Sequence, residues 1–122
     1  MKDPITIHLL ASGERDRFER RWRANRPSFV DDPAGAVVEA KALADEVMRA
    51  QGYPVADFER YAAEISAVKP RVVAHVRAVR AIALAAQRGV ATFEDLRQAA
   101  IHYRDLFNEL LTRVSQPPIP RT

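Results

Sequence analysis

The sequence predicts an all-α protein: an antiparallel helical bundle of four main helices plus a short one, with an extended N-terminal arm. Three observations predict it. Apolar residues recur three and four apart over long stretches. Glycine is scarce, four residues in 122, and Gly52 and Gly89 each follow a long helical pattern, where a left-handed terminal residue belongs. Pro33 and Pro70 fall just inside expected helix starts, where a missing N–H costs nothing, and Pro54 and Pro117 fall just after expected ends. The expected divisions are an arm over 1–11, one bundle domain over 12–115 and a proline-rich tail over 116–122, expected to be mobile.

Each element has its own signal. The first helix is expected over Ser12 to Asn25, with Ser12 as N-cap and Phe18 and Trp22 four apart on one face. Pro27 should push Arg26 out of the helical region. Asp32 caps the second helix, which runs to Gln51 with an apolar stripe of Val37, Ala40, Ala44, Val47 and Met48, widened by Leu43. A short third helix, near Val55 to Val68, presents Phe58, Tyr61, Ala62 and Ile65. The fourth runs from Pro70 to Arg88. Thr92 caps the fifth, and Asp95 three residues on completes a capping-box pattern with the shorter acid. Phe93, Leu96, Ala100, Tyr103, Phe107, Leu110 and Val114 then form the strongest periodic stripe in the chain. Only Ile5 to Leu10 reads as extended, and a single strand has no partner within a monomer.

Composition narrows the function. Of 58 apolar residues 21 are alanine, and the remaining 37 suffice for one core but not two. The 19 basic and 16 acidic residues leave a net charge of +3, far from a polyanion or polycation. With no cysteine, disulfide scaffolds, thiolate metal sites and cysteine nucleophiles are excluded. No apolar run approaches the roughly 18 residues of a membrane-spanning helix. Charged residues follow the short apolar N-terminal run at once, so no export signal is read and a cytoplasmic location is expected. No phosphate loop, nucleophile elbow or HExxH motif occurs.

The fourth helix is the most unusual. No acid stands between Ile65 and Phe93, whereas Lys69, Arg71, Arg77, Arg80 and Arg88 do. At 100° per residue Val72, Val76, Val79 and Ala83 share one arc, with Arg80 at its flank. Ala74, Ala78, Ala81 and Ala85 form a separate smooth strip that permits close approach of another helix. The five basic residues are therefore candidates for binding a partner or an anion. The alternative is that Arg77 and Arg80 pair with carboxylates of neighbouring helices. Arginines of the first helix interleave with Phe18 and Trp22, but acids four residues earlier, as in Glu19 and Arg23, favour a self-paired surface. The junction at Gly89 to Thr92 resembles a helix-turn-helix only superficially, because Glu94 and Asp95 would face phosphates. His102, Asp105 and Glu109 share a face of the fifth helix without the Glu-x-x-His pattern of bundle metal sites, so no metal or cofactor is expected. Tyr103 is expected to be core, its hydroxyl reaching a backbone group or an acid.

Several spaced blocks carry a resemblance: Phe29-Val30-Asp31-Asp32-Pro33, Gly52-Tyr53-Pro54, Glu94-Asp95-Leu96-Arg97-Gln98-Ala99, and His102-Tyr103-Arg104 with Leu106-Phe107. Over roughly Trp22 to Leu111 the chain resembles a group of small uncharacterised bacterial, largely actinobacterial, helical proteins. It departs from them at Lys69-Pro70 and at His75-Val76-Arg77, where that group carries His-Pro and Tyr-Arg pairs. The resemblance implies a helical fold and no mechanism. The function expected is a non-enzymatic helical module for protein interaction, self-associating or binding another protein. The rival is nucleic-acid or anion binding through the basic fourth helix.

Overall fold

The computed structural model describes residues 5–112. Every regular element among them is helical: α1 (Ser12–Asn25), the single turn α2 (Ser28–Asp31), α3 (Pro33–Ala50), a 3-10 segment (Val55–Tyr61), α4 (Ala62–Val68), α5 (Pro70–Gln87) and α6 (Phe93–Leu110). The tail expected over 116–122, and Val114 of the periodic stripe, lie outside the described residues.

Most boundaries follow from local chemistry. Asp32 accepts a hydrogen bond from the Gly35 amide at 3.1 Å and caps α3. Thr92 and Asp95 exchange both bonds of a capping box at the start of α6. Gly52 and Gly89 take positive φ of 97° and 74°, ending α3 and α5 in the conformation that glycine alone adopts without strain.

Three local expectations are corrected. Ala11, not Ser12, occupies the N-cap of α1, with no side-chain cap, and Ser12 is the first helical residue. Arg26 remains helical (φ −55°, ψ −47°) despite Pro27, and the chain makes the further turn α2. The break falls at Asp32 (φ −145°, ψ 73°), before Pro33, where the proline ring disfavours the helical region and the Asp32 side chain caps the new helix. The single helix expected over Val55 to Val68 is divided at Tyr61 (φ −104°, ψ 8°) into α4 and a 3-10 segment that is itself interrupted at Asp57 (φ −115°, ψ 32°), yet Phe58, Ala62 and Ile65 are all buried and Tyr61 is half-buried.

The core lies where α3, α5 and α6 meet. It is built from Val37, Val47, Ile65, Val72, Tyr103 and Phe107 among others, none more than 1 % exposed. All six α3 stripe residues are buried. Trp22 of α1 stacks on Phe107 at 4.3 Å between ring centroids, which ties α1 to α6. Contacts pair the start of α5 with the end of α6 (Arg71 with Glu109, His75 with His102), so these two run in opposite directions. The ends of α3 and α6 meet instead, through Gln51 and the Leu110 carbonyl, so this pair shares a direction. Phe93, expected in the α6 stripe, is 77 % exposed, because the first helical residue projects past the end of the core. Ala99 takes the fully buried position next to the stripe.

Two polar side chains seal the C-terminal end of α6, whose last carbonyls have no partner within the helix. Gln51 Nε2 donates to the Leu110 carbonyl at 2.9 Å, and Arg15 Nε donates to the Leu111 carbonyl at 2.6 Å. The segment 5–11 before α1 has no regular secondary structure and lies against the same chain. Ile5, Ile7 and Leu10 rest on the core, and the His8 amide donates to the Gln51 carbonyl at 2.9 Å.

Candidate functional site

The five basic residues of the acid-free run do not converge. From Lys69 to Arg88 is about 28 Å along a helix rising 1.5 Å per residue. Only Arg77 and Arg80 are brought together, and both reach the Glu59 carboxylate on the 3-10 segment, at 2.9 and 3.2 Å. The Arg77 hydrogen bond, more than charge alone, holds the Glu59 carboxyl below its ordinary range, and Glu59 in turn raises Arg77. Arg80 also lies over the Phe58 ring, 5.8 Å from its centroid. Arg71 pairs with Glu109 at 3.3 Å. The side chains of Lys69 and Arg88 make no ion pair with any described residue, and they sit at opposite ends of α5. The acid-free run thus recruits its carboxylates from other elements, which local sequence does not reveal.

On the first helix the expected Glu19–Arg23 pair forms, while Arg15 and Arg21 pair outside the acid-first pattern. Glu19 takes both Arg15 and Arg23 at 2.5 Å, and Arg21 reaches Glu46 of α3 at 2.6 Å.

His75 and His102 meet, Nδ1 to Nδ1, at 3.1 Å. One imidazole must donate and the other accept, so at least one is neutral in this arrangement. Burial first, and then the neighbouring His102, hold His75 below the ordinary imidazole value, while Asp105 and Glu109 pull it upward and Arg71 downward. No group of three or more metal-ligating side chains assembles among the described residues. The signal for this pairing is the five-residue link between α5 and α6: centred on Val90, it brings residues whose numbers sum to about 180 opposite one another.

Between α3, the 3-10 segment, α5 and α6 lies a cavity of about 90 Å³. Its walls include Ala44, Met48, Phe58, Ala83 and Tyr103, and Lys41, Asp45 and Arg80 are its charged members. Lys41 and Asp45 pair at 2.7 Å across one turn of α3. Tyr103 is 1 % exposed and its hydroxyl makes no hydrogen bond to a described residue, which corrects the expectation that it would reach a backbone group or an acid. Burial, and secondarily the Asp45 charge, push its ionisation far above the ordinary tyrosine value. Tyr53, buried near Glu109, is raised to about 12 by burial and then by that carboxylate. Both phenols therefore stay protonated at neutral pH.

The outer face of α5 is the remaining feature. Its inner arc is buried through Val72, Val73, Val79, Ala83 and Ala86. On the opposite arc Ala74 and Ala81 are exposed and Ala78 and Ala85 half-buried. At the C-terminal end of α5, Leu84 is 47 % exposed, Val90 69 % and Phe93 77 %. No helix among the described residues is long and apolar enough to cross a membrane.

No protein-family model, no curated protein and no solved structure matches the chain.

Proposed function

We propose that the chain is a non-enzymatic helical interaction module that self-associates through the outer face of α5. In this reading α1, α3, α5 and α6 form the antiparallel bundle, the 3-10 segment with α4 is its short member, and the described residues 5–11 belong to the extended N-terminal arm. The cytoplasmic setting expected from the sequence belongs to the same proposal.

One observation carries it. After α5 has buried most of its valine arc, Ala74 and Ala81 stay exposed and Ala78 and Ala85 half-buried, and Leu84, Val90 and Phe93 are exposed toward the C-terminal end of the helix. Apolar surface gathered in this way gains by leaving water. Small side chains let two helix axes approach to the lower end of the usual 8–10 Å. A second copy offers the same strip, and a twofold contact sets like against like. The anion-binding rival draws less support, because Arg71, Arg77 and Arg80 are each engaged by a carboxylate.

Light scattering on a size-exclusion eluate tests the reading. The expected mass at high micromolar concentration is twice the chain's 13.7 kDa. Ala81→Arg, on the exposed side of α5, should return the single-chain mass with unchanged helicity. A wild-type chain that stays at the single mass at every concentration contradicts the proposal.

A further inference from the structure

The cavity beneath Arg80 stands apart from the α5 outer face and rests on different observations. Its lining is largely apolar, with Ala44, Met48, Phe58 and Ala83 contributed by three elements. Into this lining the fold places Tyr103, a phenol almost wholly buried and without a hydrogen-bond partner among the described residues. An orphaned buried hydroxyl costs roughly 1–3 kcal/mol. A residue serving only as core would avoid that cost as phenylalanine. A hydroxyl retained there has a use when something in the cavity completes its bond.

The charges nearby define what that something is. Asp45 lines the same cavity as Tyr103, so an anion beside the phenol would meet a carboxylate. Arg80 is held by Glu59, and Lys41 bonds Asp45 through Oδ2, which leaves Asp45 Oδ1 as the acceptor with no bond to a described residue. A neutral hydroxyl suits both neighbours, because it accepts from the Tyr103 O–H and donates to the Asp45 carboxylate. Volume sets the size: about 90 Å³ is some three waters' share of the liquid, whereas a dry 150 Å³ cavity takes benzene. The occupant is therefore a compact group whose far end extends toward the mouth. A wider trough of about 500 Å³ between α1 and α6 has ion-paired Arg15, Glu19 and Arg23 on its wall and no orphaned buried group, and carries no such argument.

We infer that this cavity is a binding site for a small neutral alcohol with a short apolar body, held by Tyr103 and Asp45. The test is a titration of the full chain, followed by amide chemical shifts, with 1-propanol, propane and propanoate as probes. 1-Propanol should shift the Ala44, Met48 and Tyr103 amides saturably and bind roughly five- to tenfold more tightly than propane, the worth of one net hydrogen bond. Propanoate should bind more weakly than 1-propanol. Tyr103→Phe, which folds without the buried hydroxyl, should bring 1-propanol down to the affinity of propane. Ala83→Leu, which fills the cavity, should abolish both. Shifts that never saturate, 1-propanol binding unchanged in Tyr103→Phe, or propanoate binding the tighter would each overturn the assignment.

Discussion

Replacing Gly52 by alanine tests how the N-terminal segment is held. At φ 97° a side chain other than glycine's hydrogen is strained, by about 1–2 kcal/mol in the left-handed region. The added Cβ would also fall inside 3.0 Å of the Thr6 carbonyl oxygen, a backbone atom that cannot swing aside. Residues 5–10 would have to lift. That forfeits the bond from the His8 amide to the Gln51 carbonyl, about 0.5–1.5 kcal/mol, and part of the burial of Ile5, Ile7 and Leu10. Together the expected loss is roughly 2–4 kcal/mol in urea unfolding followed by circular dichroism. The decisive comparison is the same substitution in a chain lacking residues 1–10. There only the backbone strain remains, and the loss should shrink to about 1–2 kcal/mol. An equal loss in the two backgrounds would refute the contact between the segment and Gly52.

Other perturbations address the core, the seal on α6 and the histidine pair. Phe107→Ala removes a ring that is 1 % exposed and stacked on Trp22, and should cost about 3–5 kcal/mol by chemical denaturation; a cost under ~1 kcal/mol would contradict the placement of that ring. Gln51→Ala leaves the Leu110 carbonyl without its donor and should cost about 1–3 kcal/mol, with faster hydrogen exchange in the last turn of α6. His75 is depressed in the folded state by burial and by His102, so the unfolded chain binds a proton first as pH falls. Stability should be full above the ordinary imidazole value and decline as pH drops from there through the lower folded one. His75→Gln should flatten that slope in denaturation series between pH 8 and 5, and an unchanged slope would remove His75 as its source.

What the sequence made legible was local. The Asp32 and Thr92 caps, the glycines at 52 and 89, and the α3 stripe all depend on residues within a turn or two of one another. Each appears where spacing placed it. What escaped depends on tertiary registration. Nothing near Arg77 and Arg80 announces Glu59, because their partner comes from an irregular segment whose bend at Asp57 no periodicity marks. Gln51, expected simply to end a helix, is buried because the ends of α3 and α6 meet there. Phe93 fits the α6 period but lies beyond the reach of the core, and period alone does not tell where a core stops. Tyr103 was placed correctly in the core, while its missing partner depends on a cavity formed by four separate elements.

The most direct test of self-association through α5 uses the absence of cysteine from the chain. Single substitutions Ala74→Cys, Ala78→Cys, Ala81→Cys and Ala85→Cys, oxidised under mild conditions, report whether two copies bring this strip together. A disulfide needs Cβ atoms about 3.5–4.5 Å apart, which a twofold contact supplies near its axis. Self-association through this strip requires rapid formation of a linked dimer for at least one of the four, and none for Arg20→Cys on α1. Uniformly slow cross-linking, no faster than at position 20, would contradict it.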